Sequence, residues 1–334
     1  MNLGNLVELN TNLRRERLLN QERAPLLIHV GLHKTGSTWL QKQLFSDRKR
    51  GFSDSLGESR NQLKRRMITP DPLFYDAGAT AKHYAPRLAA ARQAGLTMVI
   101  SHERLSGHPS AGGRDRCMIA ERLHATFPDA RVLLVIREQR NLIRSMYNQH
   151  IKSGGVESLR HYFAEPDHVR KPSFSLQIYE FDRLVGFYRD LFGHDRVLVL
   201  PMEMLAKQPQ DFVDRIAAFS GHPSVPLAPV KRRNTRRPHL MRVLQRPLNA
   251  LFFRNELSPG ALFHIRHFNR RFSRLRFLFK RLSPRPLEQF LDDREMAAVN
   301  TLVGDYYAAS NRRTQEMIGL PLAKLGYPVE PLEI

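Results

Sequence analysis

Lys34, Gly36, Ser37 and Thr38 fall within five residues of one another in the stretch His-Val-Gly-Leu-His-Lys-Thr-Gly-Ser-Thr-Trp, residues 29–39. An ammonium, a glycine and two hydroxyls ahead of an apolar helical pattern are the parts of an anion cradle. The first N–H groups of a helix lack partners and its dipole favours negative charge, so a phosphate is the expected guest. A nucleoside-triphosphate loop of the form G-x-x-x-x-G-K-[ST] places its lysine directly after the glycine. Here Ser37 follows Gly36, and the loop's only lysine lies two residues before that glycine. The cradle suits phosphate but is wired differently from an ATPase.

Arg137 and Ser145 form the second candidate pair, in Arg-Val-Leu-Leu-Val-Ile-Arg-Glu-Gln-Arg-Asn-Leu-Ile-Arg-Ser, residues 131–145. Val132 to Ile136 is a continuous apolar run of the kind a strand buried on both faces requires. It ends in Arg137, and Ser145 follows eight residues later in a helical pattern. A kinase or ATPase more often ends such a strand in an aspartate for Mg²⁺. An arginine binds phosphate by direct bidentate contact instead.

The elements that must position these residues follow from the same periodicities. Strands are predicted near 25–30, 97–101, 131–136 and 196–200, with helical patterns between them. The fold class is therefore α/β: three layers about a mostly parallel central sheet, with a P-loop-like strand-loop-helix and a basic helical insertion. The expected organisation is a polar segment 1–24, then one domain over 25–334 with an Arg-rich helical insertion at 231–290. A parallel sheet places its site at the carboxyl ends of its strands, where Gly31, Ser101 and Arg137 fall.

A catalytic base is harder to place. Ser101-His102-Glu103 closes the strand T-M-V-I at 97–100. Alternate strand residues point to opposite faces, so only one of His102 and Glu103 is expected to enter the site. Histidine titrates near neutrality, whereas a glutamate needs burial or neighbours to become a strong base. Glu58 is a third candidate.

Taken together, the two stretches resemble the signatures of sulfotransferases that use 3′-phosphoadenosine 5′-phosphosulfate (PAPS). Lys34, Gly36, Ser37, Thr38 and Trp39 fit the family's K-x-G-[ST]-[ST]-W position by position, and Arg137 and Ser145 fit its 3′-phosphate pair. The resemblance implies roles. Backbone N–H groups of Thr35, Gly36, Ser37 and Thr38 would bind the 5′-phosphate, and Lys34 would place its charge on the bridging oxygen. Ser145 would hold that lysine aside until an acceptor arrives. Trp39 would either stack on the adenine or simply join the core. Arg233 and Asn234, in Lys-Arg-Arg-Asn-Thr, are similar to a basic Asn-x-Ser element near the 3′-phosphate, although here Thr235 directly follows Asn234. The segment I-S-H-E-R-L-S-G favours Glu103 as base, because bacterial members look more like it. Tyr179-Glu180, Val197 to Glu203, and the tail from Ser310-Asn311-Arg312 to Gly326-Tyr327-Pro328 extend the likeness. The implied reaction moves a sulfuryl group to a hydroxyl or amine of a carbohydrate or glycolipid acceptor, with PAPS as co-substrate and no metal.

Composition sets the remaining expectations. One cysteine, Cys117, excludes an intrachain disulfide and suits a reducing compartment. Residues 1–24 lack the apolar core of a signal peptide, and no run approaches a membrane span. A cytoplasmic enzyme is expected, with room for contact at the inner face of the membrane. The net charge of +21 is lopsided: residues 231–286 hold sixteen Lys or Arg against one acid, Glu256. Phe268, Phe272, Leu275, Phe279 and Leu282 recur at helical spacing among arginines, which predicts a basic amphipathic helix. Three readings stay open for it: a helix packed on the domain, an anionic membrane surface, or a seat for an acidic substrate. Pro247, Pro259 and Pro284 are expected to break the region into short pieces. A specific nucleic-acid binder would explain the charge but not the paired phosphate signatures, and no helix-turn-helix, zinc-finger or RNP pattern is present. Oligomeric state is not readable from the sequence.

Overall fold

The computed structural model describes residues 26–54, 58–164, 173–227 and 238–331. Five strands form one sheet in the order β2-β3-β1-β4-β5: β1 (Leu26–Gly31), β2 (Phe52–Ser53), β3 (Thr97–His102), β4 (Arg131–Ile136) and β5 (Val197–Pro201). All four pairings are parallel. Four of these strands lie where the apolar runs predict them; β2, only two residues long, carries too little pattern to be read.

Helices occupy the connections and both faces. They are α1 (Ser37–Gln43), α2 (Arg60–Met67), α3 (Ala77–Gln93), α4 (Arg116–Thr126), α5 (Gln139–Lys152), α6 (Leu159–Phe163), α7 (Phe181–Phe192), α8 (Met202–Lys207) and α9 (Pro209–Phe219). Beyond Pro238 follow α10 (His239–Phe252), α11 (Phe268–Arg274), α12 (Arg276–Leu282), α13 (Arg285–Val303) and α14 (Ala308–Ile318).

Alternating strand residues feed two separate cores. Ile28, Val30, Ile100, Val132 and Leu134 pack with Leu123 of α4, Leu142 of α5 and Tyr188 of α7. Leu27, Val99, Leu133, Val135 and Leu200 pack on the opposite face with Leu40 of α1 and Phe212 and Ile216 of α9. With both faces covered, β1 is buried along its whole length, which is why its sequence reads as an apolar run rather than an alternation.

From β1 the chain crosses towards β2 and β3, whereas from β4 it crosses to β5. The direction of winding therefore reverses between β1 and β4, and a crevice opens at their carboxyl ends. Gly31 pairs in register with Val135, so the loop after β1 and Arg137 face each other across that crevice.

Two details of the basic region depart from its sequence pattern. Pro247 lies inside α10 without ending it. Its ring is on the exposed side of the helix, where water can take the carbonyl it leaves unpaired. The aromatic stripe is also not one face of one helix. The chain turns at Leu275 between α11 and α12. Phe268 and Phe272 are buried, whereas Leu275 and Leu282 are exposed.

Candidate active site

The loop after β1 is held in a conformation that its sequence alone would not choose. Lys34 has φ +66° and Gly36 φ +83°. The left-handed region is free for glycine but costs a side-chain-bearing residue roughly 1–2 kcal/mol. Three hydrogen bonds hold Lys34 there. Thr35 Oγ1 donates to Leu32 O at 2.7 Å, Arg137 donates to Lys34 O at 3.0 Å, and Lys34 Nζ donates to Gln149 Oε1 at 2.9 Å.

The result is an open helix start. No side chain caps α1, and the first amide to reach back is that of Trp39, to Gly36 O at 2.8 Å. Beneath the loop, Ser37 Oγ and His29 Nε2 are buried without a hydrogen-bond partner. Both border Gly31, where a Cβ would lie 2.6 Å from Ser37 Oγ. Thr38 is exposed at the mouth. Trp39 is half-buried against the Leu40–Phe212 core, so part of its ring serves packing.

Arg137 is positioned from behind. Glu203, at the start of α8, accepts from the Glu138 amide at 3.1 Å and from the Tyr327 hydroxyl at 2.8 Å. Burial raises the Glu203 pKa, against those hydrogen bonds and the Arg137 charge. Glu138 caps α5 by accepting from the amides of Arg140 and Asn141 at 2.9 and 2.8 Å. The C-terminal tail locks this corner. Fully buried Asn311 exchanges hydrogen bonds with Gln139 at 2.6 and 3.1 Å and donates to Pro328 O at 2.8 Å. The Ser-Asn-Arg and Gly-Tyr-Pro segments of the tail thus hold the start of α5 and Glu203. Ser145 lies on α5 and is partly exposed. The residue that takes the lysine is Gln149, one turn further along the same helix.

On the other side of the crevice stands the His102-Glu103 pair. His102 is buried, and its Nδ1 accepts from the Arg104 amide at 2.9 Å. Burial lowers its pKa to about 4, partly offset by Glu103 3.9 Å away. Its lone pair is therefore engaged in ending β3, and the ring stays neutral. Glu103 begins the next turn, is partly exposed and pairs with Arg60. Burial pushes its pKa up, but its own amide, His102 and Arg60 outweigh that and leave it below the ordinary glutamate value. His33 feels both the Glu103 carboxylate and the Lys34 ammonium, and burial lowers its pKa to about 4. Glu103 lines a cleft of about 560 Å³ with Ser59, Arg60, Asn61, Lys64, His102 and Arg104.

Other sequence candidates lie elsewhere. Glu58 is enclosed: it accepts from the Tyr84 hydroxyl, pairs with Arg66 at 3.4 Å, and is out of the crevice's solvent. Arg233 and Asn234 lie outside the described residues. His239, Asp292 and Glu295 bring potential ligand atoms within 4.8 Å of one another, a grouping that no local spacing in the sequence reveals. The Arg242 guanidinium occupies its centre, 2.5 Å from His239 Nδ1, 3.1 Å from Asp292 and 3.3 Å from Glu295. A cation there would have to displace that charge.

Gln149 and Arg60 are the participants that the sequence reading missed. Gln149 carried a usable signal, since it lies four residues after Ser145 and so shares its helix face. Arg60 carried none, because its approach to Glu103 is set by the tertiary packing of α2.

A family model described as the sulfotransferase family matches residues 25–226, more than half of the chain. The chain belongs to the sulfotransferase family. Its matched span takes in the Lys34 loop, His102-Glu103, Arg137 and Glu203, and leaves the basic helices after Pro238 outside. Among solved structures, a sulfotransferase from Alicyclobacillus acidocaldarius is similar at 18% identity over 67% of this chain and 92% of that one, with a TM-score of 0.46. The sulfotransferase domain from the curacin biosynthetic pathway is similar at 14% identity over 60% of this chain and 75% of that one, with a TM-score of 0.35. At these levels neither likeness adds to the family match. No curated protein matches the chain. Among the described residues, no helix is long and apolar enough to cross a membrane.

Proposed function

We propose that this sulfotransferase uses PAPS as donor and transfers its sulfuryl group to a hydroxyl or amine of a carbohydrate or glycolipid acceptor. The observation that carries the reading is the Lys34 loop, whose lysine backbone is clasped by Arg137 while its ammonium is parked on Gln149. The donor fits the residues present. The uncapped start of α1 and the unpaired Ser37 hydroxyl offer donors to a 5′-phosphate, and Arg137 offers a fork to a 3′-phosphate.

The nucleotide supplies the sulfuryl group on a phosphosulfate anhydride. Glu103 takes the proton from the acceptor as the acceptor's oxygen or nitrogen bonds to sulfur. Lys34 leaves Gln149 and neutralises the charge that develops on the departing phosphate oxygen. His102 is poorly suited to the proton transfer, because its Nδ1 lone pair is committed to the Arg104 amide. Arg60 holds the Glu103 carboxylate in the resting site, and an acceptor that displaces Arg60 raises its basicity. The polar lining of the cleft, with Ser59, Asn61 and Lys64, suits an acceptor rich in hydroxyls. The donor is made in the cytosol, and we place the reaction there.

Calorimetric titration with adenosine 3′,5′-bisphosphate, AMP and Mg·ATP tests this reading. Binding of the bisphosphate without Mg²⁺, lost on removal of its 3′-phosphate and in Arg137→Ala, is the expected result. Preference for Mg·ATP would return the site to kinase chemistry.

A further inference from the structure

We infer that the helices after Pro238 seat this chain on the surface of an anionic lipid bilayer. Met241, Phe268 and Phe272 form a small core of their own, bordered by Phe252, Phe253 and Phe279. Ring contacts run through it from Phe263 to Phe252, Phe268, Phe272 and Phe279. That core spends only some of the region's apolar side chains. Phe277 is 77% exposed, Leu262 67%, Leu282 61%, and Phe263 and Phe290 60% each. Exposed aromatic and leucine side chains in such number within one segment mark an interaction surface.

The arginines divide in the same way. Arg242 faces inward and is neutralised by Asp292 at 3.1 Å and Glu295 at 3.3 Å, and Asp292 also pairs with Arg144 of α5. Arg266, Arg270, Arg271, Arg274 and Arg281 are exposed, and no carboxylate among the described residues pairs with them. Large apolar side chains among unneutralised cations are what a bilayer of acidic lipids accepts, apolar groups below the headgroups and arginines among the phosphates. The alternatives fit less well. Two copies of this face would repel each other by like charge. A nucleic acid would meet the arginines but leave the leucines wet.

The seat is tied to the crevice. Asn249 donates to Ile151 O at 2.7 Å and to Gly155 O at 3.0 Å, and Asn255 donates to Ser153 O at 2.7 Å. These carbonyls lie at and just after the end of α5, so the seat is anchored to the helix that carries Ser145 and Gln149.

The test is co-sedimentation with vesicles of phosphatidylcholine alone or mixed with phosphatidylglycerol, for wild type, Phe277→Asp/Leu282→Asp and Arg270→Glu/Arg271→Glu/Arg274→Glu. Circular dichroism and sedimentation velocity on each variant report folding and assembly. Retention on the mixed vesicles alone is expected, falling about tenfold or more in each variant, through lost charge attraction in the arginine variant and lost apolar burial in the other. No retention on the mixed vesicles overturns the inference. So does retention that the apolar double variant leaves unchanged, which would mark a general polyanion site. A wild-type dimer that Phe277→Asp/Leu282→Asp dissociates would assign the face to a second copy.

Discussion

Arg137 donates a hydrogen bond to the backbone carbonyl of Lys34, across the point where the sheet reverses its winding. One guanidinium therefore both holds the left-handed turn at Lys34 and stands ready for a phosphate. Arg137→Ala is expected to weaken adenosine 3′,5′-bisphosphate binding about 10- to 100-fold, the loss of a charge-assisted hydrogen bond. Arg137→Lys should recover part of the charge but not the fork. Equal affinity of wild type and Arg137→Ala in calorimetry would remove Arg137 from the nucleotide site.

The Lys34 side chain is a different matter from its backbone. Its Nζ rests on Gln149, so its charge is diverted in the free protein. Lys34→Ala is expected to cut turnover at least about 100-fold with a much smaller change in nucleotide affinity, as for loss of a donor that acts in the transition state. Gln149→Ala should release the lysine early and raise PAPS breakdown in the absence of acceptor. Unchanged acceptor-free breakdown in that variant would show that Gln149 does not restrain Lys34.

The fold was legible where burial is complete. Strands β1, β3, β4 and β5 are covered on both faces, and continuous apolar runs are the signature of that situation. The Lys34 loop was legible because it is local, its parts lying within one strand-turn-helix. The base could not be assigned in the same way. His102 and Glu103 differ in burial and in partner, His102 buried against the Arg104 amide and Glu103 partly exposed and paired with Arg60, and neither difference shows in the local sequence. Glu58, the third candidate for the base, is covered by Tyr84 from the middle of α3, a contact 26 residues away that no local pattern shows. In the basic region the heptad-like spacing suggested one stripe. The turn at Leu275 splits it into an inner set with Phe272 and an outer set with Leu282, which spacing alone cannot show.

Glu103 and Arg60 give a prediction with a pH axis. Arg60 is one of the groups that keep Glu103 below its ordinary pKa. Glu103→Gln should reduce turnover about 100-fold or more, the usual cost of losing a general base. Arg60→Ala removes a positive neighbour, so the Glu103 pKa rises and the acid limb of the kcat/KM profile moves to higher pH. An acid limb that stays in place would mean that another group sets it. His102→Ala should instead lower the melting temperature, since it leaves the Arg104 amide without its acceptor at the end of β3.

Three histidines around the crevice contribute to the protein's acid sensitivity. Burial lowers His29 to about 3, and His33 and His102 to about 4. All three stay neutral in the folded protein at pH values where their unfolded counterparts, near 6.5, take up protons. Protonation therefore favours the unfolded chain. The stability they contribute is complete above about pH 6.5 and is lost as pH falls towards 4, by up to about 1.4 kcal/mol per pH unit for each histidine. A melting temperature that already declines between pH 6.5 and 5, before carboxylates titrate, is the expected observation. His29→Gln should flatten that slope by about one proton's share, whatever it does to the absolute stability. An unchanged slope would mean that His29 is protonated in the folded protein or already neutral in the unfolded one.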